Sequence, residues 1–211
     1  MYFLTIILLA PGILAALTVH EFSHGWVAYR LGDPTAKAAG RLTLNPLAHL
    51  DPIGTIMLFI VHFGWAKPVP VNPYYFQKPR QGMVWVSLAG PASNIIFAAV
   101  LGILFRILLA AGMMSLNGFF ANLIAFAIFI NLMLAFFNLI PIPPLDGSKI
   151  VGGLLPDRYI EAWDWFERRG FLFLIGLIII GQMTGGSIFG RTILPLSEWF
   201  YQLFTGHRIL L

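Results

Sequence analysis

His20, Glu21 and His24 stand together as His20-Glu21-Phe22-Ser23-His24 at the end of a long apolar run. On a helix, positions four apart share a face, so the two imidazoles can grip one metal ion. The glutamate beside them is placed to act as general base on a metal-bound water. Ionisable groups are costly in lipid, so an apolar helix carrying three of them within five positions marks a functional site. Packing between helices accounts for a lone histidine. It does not account for two at helical spacing with a glutamate between them.

Catalytic zinc takes three protein ligands and keeps one position open. The chain has no cysteine, which excludes disulfides and thiolate ligands, so a third ligand must be His, Asp or Glu. The candidates are His49, Asp51, His62, Asp146 and His207. Position favours Asp146. It follows an apolar helix on the same expected side as His20 and His24, behind prolines that stiffen the backbone and before Gly147, which admits a tight turn. The competing reading of Asp146 is a turn or capping aspartate. His62 is expected to be a packed or interfacial histidine, His49 a solvated one in a polar loop, and His207 a surface residue.

The elements that must position these groups are apolar. Of 211 residues, 58% are hydrophobic and 10% charged, with mean hydropathy +0.82. Soluble domains carry about 25% charged residues. The composition therefore indicates a polytopic membrane protein whose surroundings are a lipid bilayer. The net charge of +4 reads as topology signals rather than as nucleic-acid contacts. Arg30, Lys37, Arg41, Lys67, Lys78, Arg80, Lys149, Arg158, Arg168 and Arg169 fall in one set of connections, whereas 112–118 carries no charge. That asymmetry puts the basic loops, and the site, towards the cytoplasm of a multi-pass plasma-membrane protein. Arg106 is an exception that can snorkel.

A first helix is expected over 3–31, stopped by Gly32-Asp33-Pro34 and retained rather than cleaved as a signal. The run 52–63 is short for a span, and its flanks are basic on both sides, so 52–75 reads as a re-entrant element. Its proline-rich end, Lys67-Pro68-Val69-Pro70-Val71-Asn72, favours extended backbone. Further helices are expected over 83–109, interrupted at Ala89-Gly90-Pro91-Ala92-Ser93-Asn94, and over 119–139, which carries Asn131 and Asn138. Residues 156–169 read as an amphipathic cytoplasmic segment. Residues 171–180, extending towards 189 across Gly185-Gly186, read as a fifth span, and 194–204 as an interfacial helix or half-span. The fold class is all-α polytopic, with about five to six transmembrane or re-entrant segments and a short β-like re-entrant element. All of 1–211 forms one membrane domain, with a catalytic core over 3–149 and C-terminal helices over 156–211.

The chain resembles the site-2 proteases, which are intramembrane zinc metalloproteases. The resemblance rests on His20-Glu21-Phe22-Ser23-His24, Ala89-Gly90-Pro91-Ala92-Ser93-Asn94, the stretch 64–72, and Asn138-Leu139-Ile140-Pro141-Ile142-Pro143-Pro144-Leu145-Asp146-Gly147, and spans 19–149. It implies one zinc held by His20, His24 and Asp146, with Glu21 as base and proton carrier. It also implies a substrate that is itself a transmembrane helix, cut within or near the bilayer. Such a substrate must unwind, and the backbone of Val69, Val71 and Asn72 is expected to receive it as an added strand. Asn94 is expected either to bond substrate or oxyanion or to make an interhelical bond, and Asn138 to orient Asp146 through backbone freed by the prolines. Many relatives carry PDZ or CBS modules for which this chain has no room. Selection is then expected to come from the membrane domain, from a homo-oligomer or regulatory membrane partner, or from trimming of the substrate before it arrives.

Two other readings use fewer of these residues. A zinc-binding pseudoprotease can dispense with Glu21 or Asp146, and both are present. Metal or proton transporters often carry internal repeats, and none is visible in the sequence.

Overall fold

Hydropathy and helix propensity dominate the architecture. The structure, a computed structural model, describes residues 2–61, 64–183 and 188–209. His62 and the Gly185-Gly186 break expected in the fifth span lie outside the described residues. The helices are α1 (Tyr2–Arg30), α2 (Thr35–Ala38), α3 (Pro52–Val61), α4 (Pro79–Ala110), α5 (Phe119–Asn138), α6 (Asp146–Leu154), α7 (Ile160–Glu167), α8 (Gly170–Met183) and α9 (Ile188–Thr205). There is no sheet among the described residues, where Leu50 and Ala66 form one isolated antiparallel bridge. Among the described residues, two helices, α4 and α5, are long and apolar enough to cross a membrane.

Helices α1, α4 and α5 pack against one another, with α6 laid on α4 and α9 on α5 and α4. The largest core lies between α4, α5 and α9, where Phe105, Ile128, Leu132, Phe136, Ile193 and Tyr201 are buried. A smaller cluster of Ala28, Phe76 and Val86 joins the end of α1 to the start of α4.

Several boundaries differ from expectation. Helix α4 begins at Pro79 and runs unbroken through Pro91, although proline removes one backbone bond. Residues 194–204 belong to the longer α9, which packs against α5 and α4. Asp146 opens helix α6 instead of a tight turn. Gly147 is needed for a different reason than the one expected. A Cβ there would run into the carbonyls of Leu139 and Ile140, so glycine lets α6 fold back onto the end of α5.

Candidate metal centre

Helix α1 carries His20 and His24 on one face, and α6 presents Asp146 from its first turn. The Oδ2 atom of Asp146 lies 3.1 Å from His20 Nε2 and 3.2 Å from His24 Nε2. The three side chains form a ligand-type cluster whose atoms lie within 4.8 Å of one another. All are nearly shut off from solvent, at 4%, 8% and 7% exposure for His20, His24 and Asp146.

The opposite nitrogens define the chemistry of the cluster. His24 Nδ1 lies 2.7 Å from the Val86 carbonyl, which can only accept, so Nδ1 carries the proton. His20 Nδ1 lies 2.7 Å from Asn94 Oδ1. The Asn94 amide nitrogen donates to Ala16 O at 2.9 Å and to Asn131 Oδ1 at 2.7 Å, which turns its oxygen towards His20. In their neutral form both rings therefore present Nε2 as the bare nitrogen. Asp146 Oδ2, buried, has no hydrogen-bond partner among the described residues. With the rings neutral, three lone pairs converge on one point, an arrangement that a cation resolves. The donor set, two imidazoles and a carboxylate, suits zinc. Helix α4 comes close because residue 90 is glycine. A Cβ there would lie 2.5 Å from His24 Nε2 and 2.6 Å from His20 Cε1.

Glu21 faces a different neighbour. Its Oε2 accepts the Val69 amide at 2.9 Å. Val69 belongs to a non-helical strap, residues 66–72, fastened at both ends. Lys67 N–H donates to His49 O at 2.9 Å, and Arg41 Nη2 donates to Lys67 O at 2.6 Å. At the other end Asn72 N–H donates to Asp33 Oδ2 at 2.7 Å, while Asp33 Oδ1 accepts the Thr35 amide at 2.9 Å and the Thr35 hydroxyl. Asp33 is fully buried.

The expected site residues thus divide. His20, His24 and Asp146 come together, with Glu21 and Val69 joined beside them. Val71 packs on the Ala28, Phe76 and Val86 cluster, and Asn72 accepts the Tyr74 amide at 3.1 Å besides donating to Asp33. Of the two roles expected for Asn94, the structure displays the interhelical one. It is fully buried, with both amide donors and its oxygen engaged. Asn138 donates to Leu134 O in its own helix at 2.9 Å rather than to the proline loop before Asp146. His49 is buried at 1% exposure, bonded through Nε2 to Thr43 O at 2.8 Å, which corrects the expectation of a solvated residue. A loop that folds against α1 buries polar side chains that composition alone assigns to solvent. Asp51 caps α3 through the Gly54 amide at 2.8 Å, and His207 is exposed.

Asn131 and Asp33 make contacts that sequence reasoning missed: Asn131 accepts from Asn94, and Asp33 accepts from Asn72 and Thr35. An asparagine in the middle of an apolar helix was the signal for Asn131. Asp33 was hidden inside a helix-stop motif.

Fold and site together present an HExxH helix with a remote carboxylate, a donor set that could hold a metal ion. Comparison with known proteins agrees. The profile of Peptidase family M50 matches residues 103–177, which include Asp146. YwhC of Bacillus subtilis is 45% identical over 170 residues, covering 79% of this chain and 78% of that protein. Rip2 of Mycolicibacterium smegmatis is 32% identical over 201 residues, covering 92% and 73%. MJ0611 of Methanocaldococcus jannaschii is 30% identical over 166 residues, covering 78% and 72%. All three are zinc metalloproteases by name. No solved structure matches significantly. The chain belongs to peptidase family M50, the site-2 proteases, and is a zinc metalloprotease. Members of that family are membrane proteins, which the two apolar helices fit.

Proposed function

We propose that the protein is an intramembrane endopeptidase that holds one zinc through His20, His24 and Asp146 and uses Glu21 as general base. The observation that carries this reading is the convergence of three bare acceptor atoms in a buried site next to Glu21. Zinc, when bound, supplies a Lewis acid that acidifies water and polarises a carbonyl.

The protein's own residues do the rest. Glu21 Oε2 is held by the Val69 amide, while Oε1 has no partner among the described residues and is free to take a proton from water. The same oxygen then returns that proton to the leaving amine nitrogen. Val86 and Asn94 hold the two imidazoles in the tautomer that keeps Nε2 bare.

The substrate in this reading is a transmembrane helix, locally unwound so that a carbonyl is accessible. The strap supplies the template. In extended backbone, amides two residues apart face the same way, so Val71 presents its N–H on the side where Val69 meets Glu21. The Val71 amide and the Val69 carbonyl have no partner among the described residues, and Asn72 ends the segment. An unwound substrate strand can pair there, which lays its scissile bond along the base. The isolated bridge at Ala66 supports a β-like character for this element.

The chain as a whole is then a multi-pass protein with about five to six spanning or re-entrant segments. Its basic connections, and hence the site, face the cytoplasm of a plasma membrane. Selection among substrates rests on the strap, on a second copy, or on a membrane partner.

The test is Glu21→Gln in purified protein, with a single-span reporter in detergent or vesicles. Cleavage is expected to fall by about 10²–10⁴-fold, the range typical of a lost general base, with zinc content unchanged. Normal cleavage by this variant would remove Glu21 from the mechanism.

A further inference from the structure

Asn131 lies in the middle of α5, fully buried, one residue away from any contact with the ligand cluster. Its amide nitrogen donates to Ala127 O at 2.7 Å. Ala127 O is a backbone carbonyl and can only accept, so this bond fixes which end of the Asn131 amide faces Asn94. The end presented is the oxygen, 2.7 Å from Asn94 Nδ2. Asn94 meets a second obligate acceptor, Ala16 O, at 2.9 Å. Its amide is therefore held with nitrogen towards α1 and α5 and oxygen towards His20.

We propose that Asn131 is a positioning residue for the metal centre: through Asn94 it sets which ring nitrogen His20 offers to zinc. The inference rests on the zinc reading above and extends it to a residue on a third helix. Reversing the Asn94 amide would place its oxygen against the Asn131 oxygen and the Ala16 carbonyl, two repulsive contacts between buried groups. It would also turn an N–H towards His20 Nδ1. That nitrogen would then have to accept, and the ring proton would move to Nε2, the atom that faces Asp146. A ring protonated at Nε2 cannot ligate there. With Asn131 in place, both contacts oppose the reversal. Without it, Ala16 O alone opposes it. A polar ladder thus crosses three helices, α5 to α4 to α1, and ends at a ligand. Outer-shell partners of this kind commonly change metal affinity by about 10–100-fold.

A merely structural role predicts something different. Asn131 would then bind helices together, and its loss would lower thermal stability without touching the ligand field. The experiment compares wild type, Asn131→Leu and Asn131→Asp in the full chain. Zinc affinity is read by chelator competition, the d–d spectrum with cobalt in place of zinc, and thermal unfolding on the metal-free protein. A carboxylic acid at this position keeps an acceptor towards Asn94 and, protonated, a donor towards Ala127. Zinc affinity is expected to fall by about 10–100-fold in Asn131→Leu, with a shifted cobalt spectrum, and to be restored in Asn131→Asp. Unchanged affinity and spectrum in a folded Asn131→Leu would overturn the proposal. Equal damage in Asn131→Leu and Asn131→Asp would overturn it too. If Asn131→Leu does not fold, Asn131→Ser, too short to reach Asn94, takes its place with the same expected loss. A wild type that binds neither zinc nor cobalt would instead sink the metal reading itself.

Discussion

The two halves of the site are held by different means. The ligand half is built on helices. His20, His24 and Asp146 come from α1 and α6, and α4 and α5 back them with bonds buried away from solvent. The base half depends on a strap with no regular structure, positioned by single hydrogen bonds at Asp33, Arg41 and His49 and by one amide on Glu21. Helical backbone satisfies its own polar groups and holds side chains rigidly, whereas irregular backbone near a membrane must borrow partners. Under the proposed function, the difference predicts that metal retention and catalysis are separable. Damage to the strap should spare the metal, and damage to the helical network should not.

The sharpest break is Asp146→Ala. Removing a ligand should weaken zinc by more than the about 10–100-fold expected for an outer-shell partner, and cleavage should go with it. Chelator competition on the purified protein measures this against Glu21→Gln, which should keep its zinc. Equal zinc affinity in Asp146→Ala and wild type would move the third ligand elsewhere.

Asp33→Ala tests the other half. The substitution leaves the amides of Asn72 and Thr35 without their acceptor, a loss of about 1–3 kcal/mol for each buried group that goes unsatisfied. The strap loosens and Val69 no longer holds Glu21 in one place. Cleavage is expected to fall by about tenfold, the equivalent of about 1.4 kcal/mol in the barrier, with zinc content intact. Parallel loss of zinc and activity would show that the halves are not independent.

Asn138→Ala should have the smallest effect. Its side chain bonds only back into α5 at Leu134 among the described residues, so zinc affinity and cleavage should stay near wild type. A change in unfolding temperature of a few degrees at most is the expected readout, the scale of a surface-type substitution. A large loss of zinc would return Asn138 to the role of orienting Asp146.

Much of the cluster of His20, His24 and Asp146 was legible in the sequence. The spacing of His20 and His24 puts them on one helical face whatever the surroundings, and the absence of cysteine narrowed the third ligand to a few residues. Asp146 stood out by its prolines and its place after an apolar helix. The strap was legible as extended backbone, because alternating prolines at 68 and 70 disfavour helix. The fastening of the strap was not. Asp33 reaches Asn72 across 39 positions, and no local pattern announces such a pair. Asn94 illustrates the same limit. Its two expected roles differ only in whether its amide faces a substrate or α5, and that depends on where Asn131 lies 37 positions away.

By itself, then, the sequence determined the chemistry available and the elements that carry it. Residue types fix which atoms can ligate or take a proton, hydropathy fixes which segments are apolar helices, and helical periodicity fixes the pairing of the two histidines. Only the tertiary structure decided which nitrogen of each ring is bare, which carboxylate completes the cluster, and what holds Glu21. Those outcomes depend on hydrogen bonds whose partners are distant in the chain, and such bonds exist only once the helices have packed.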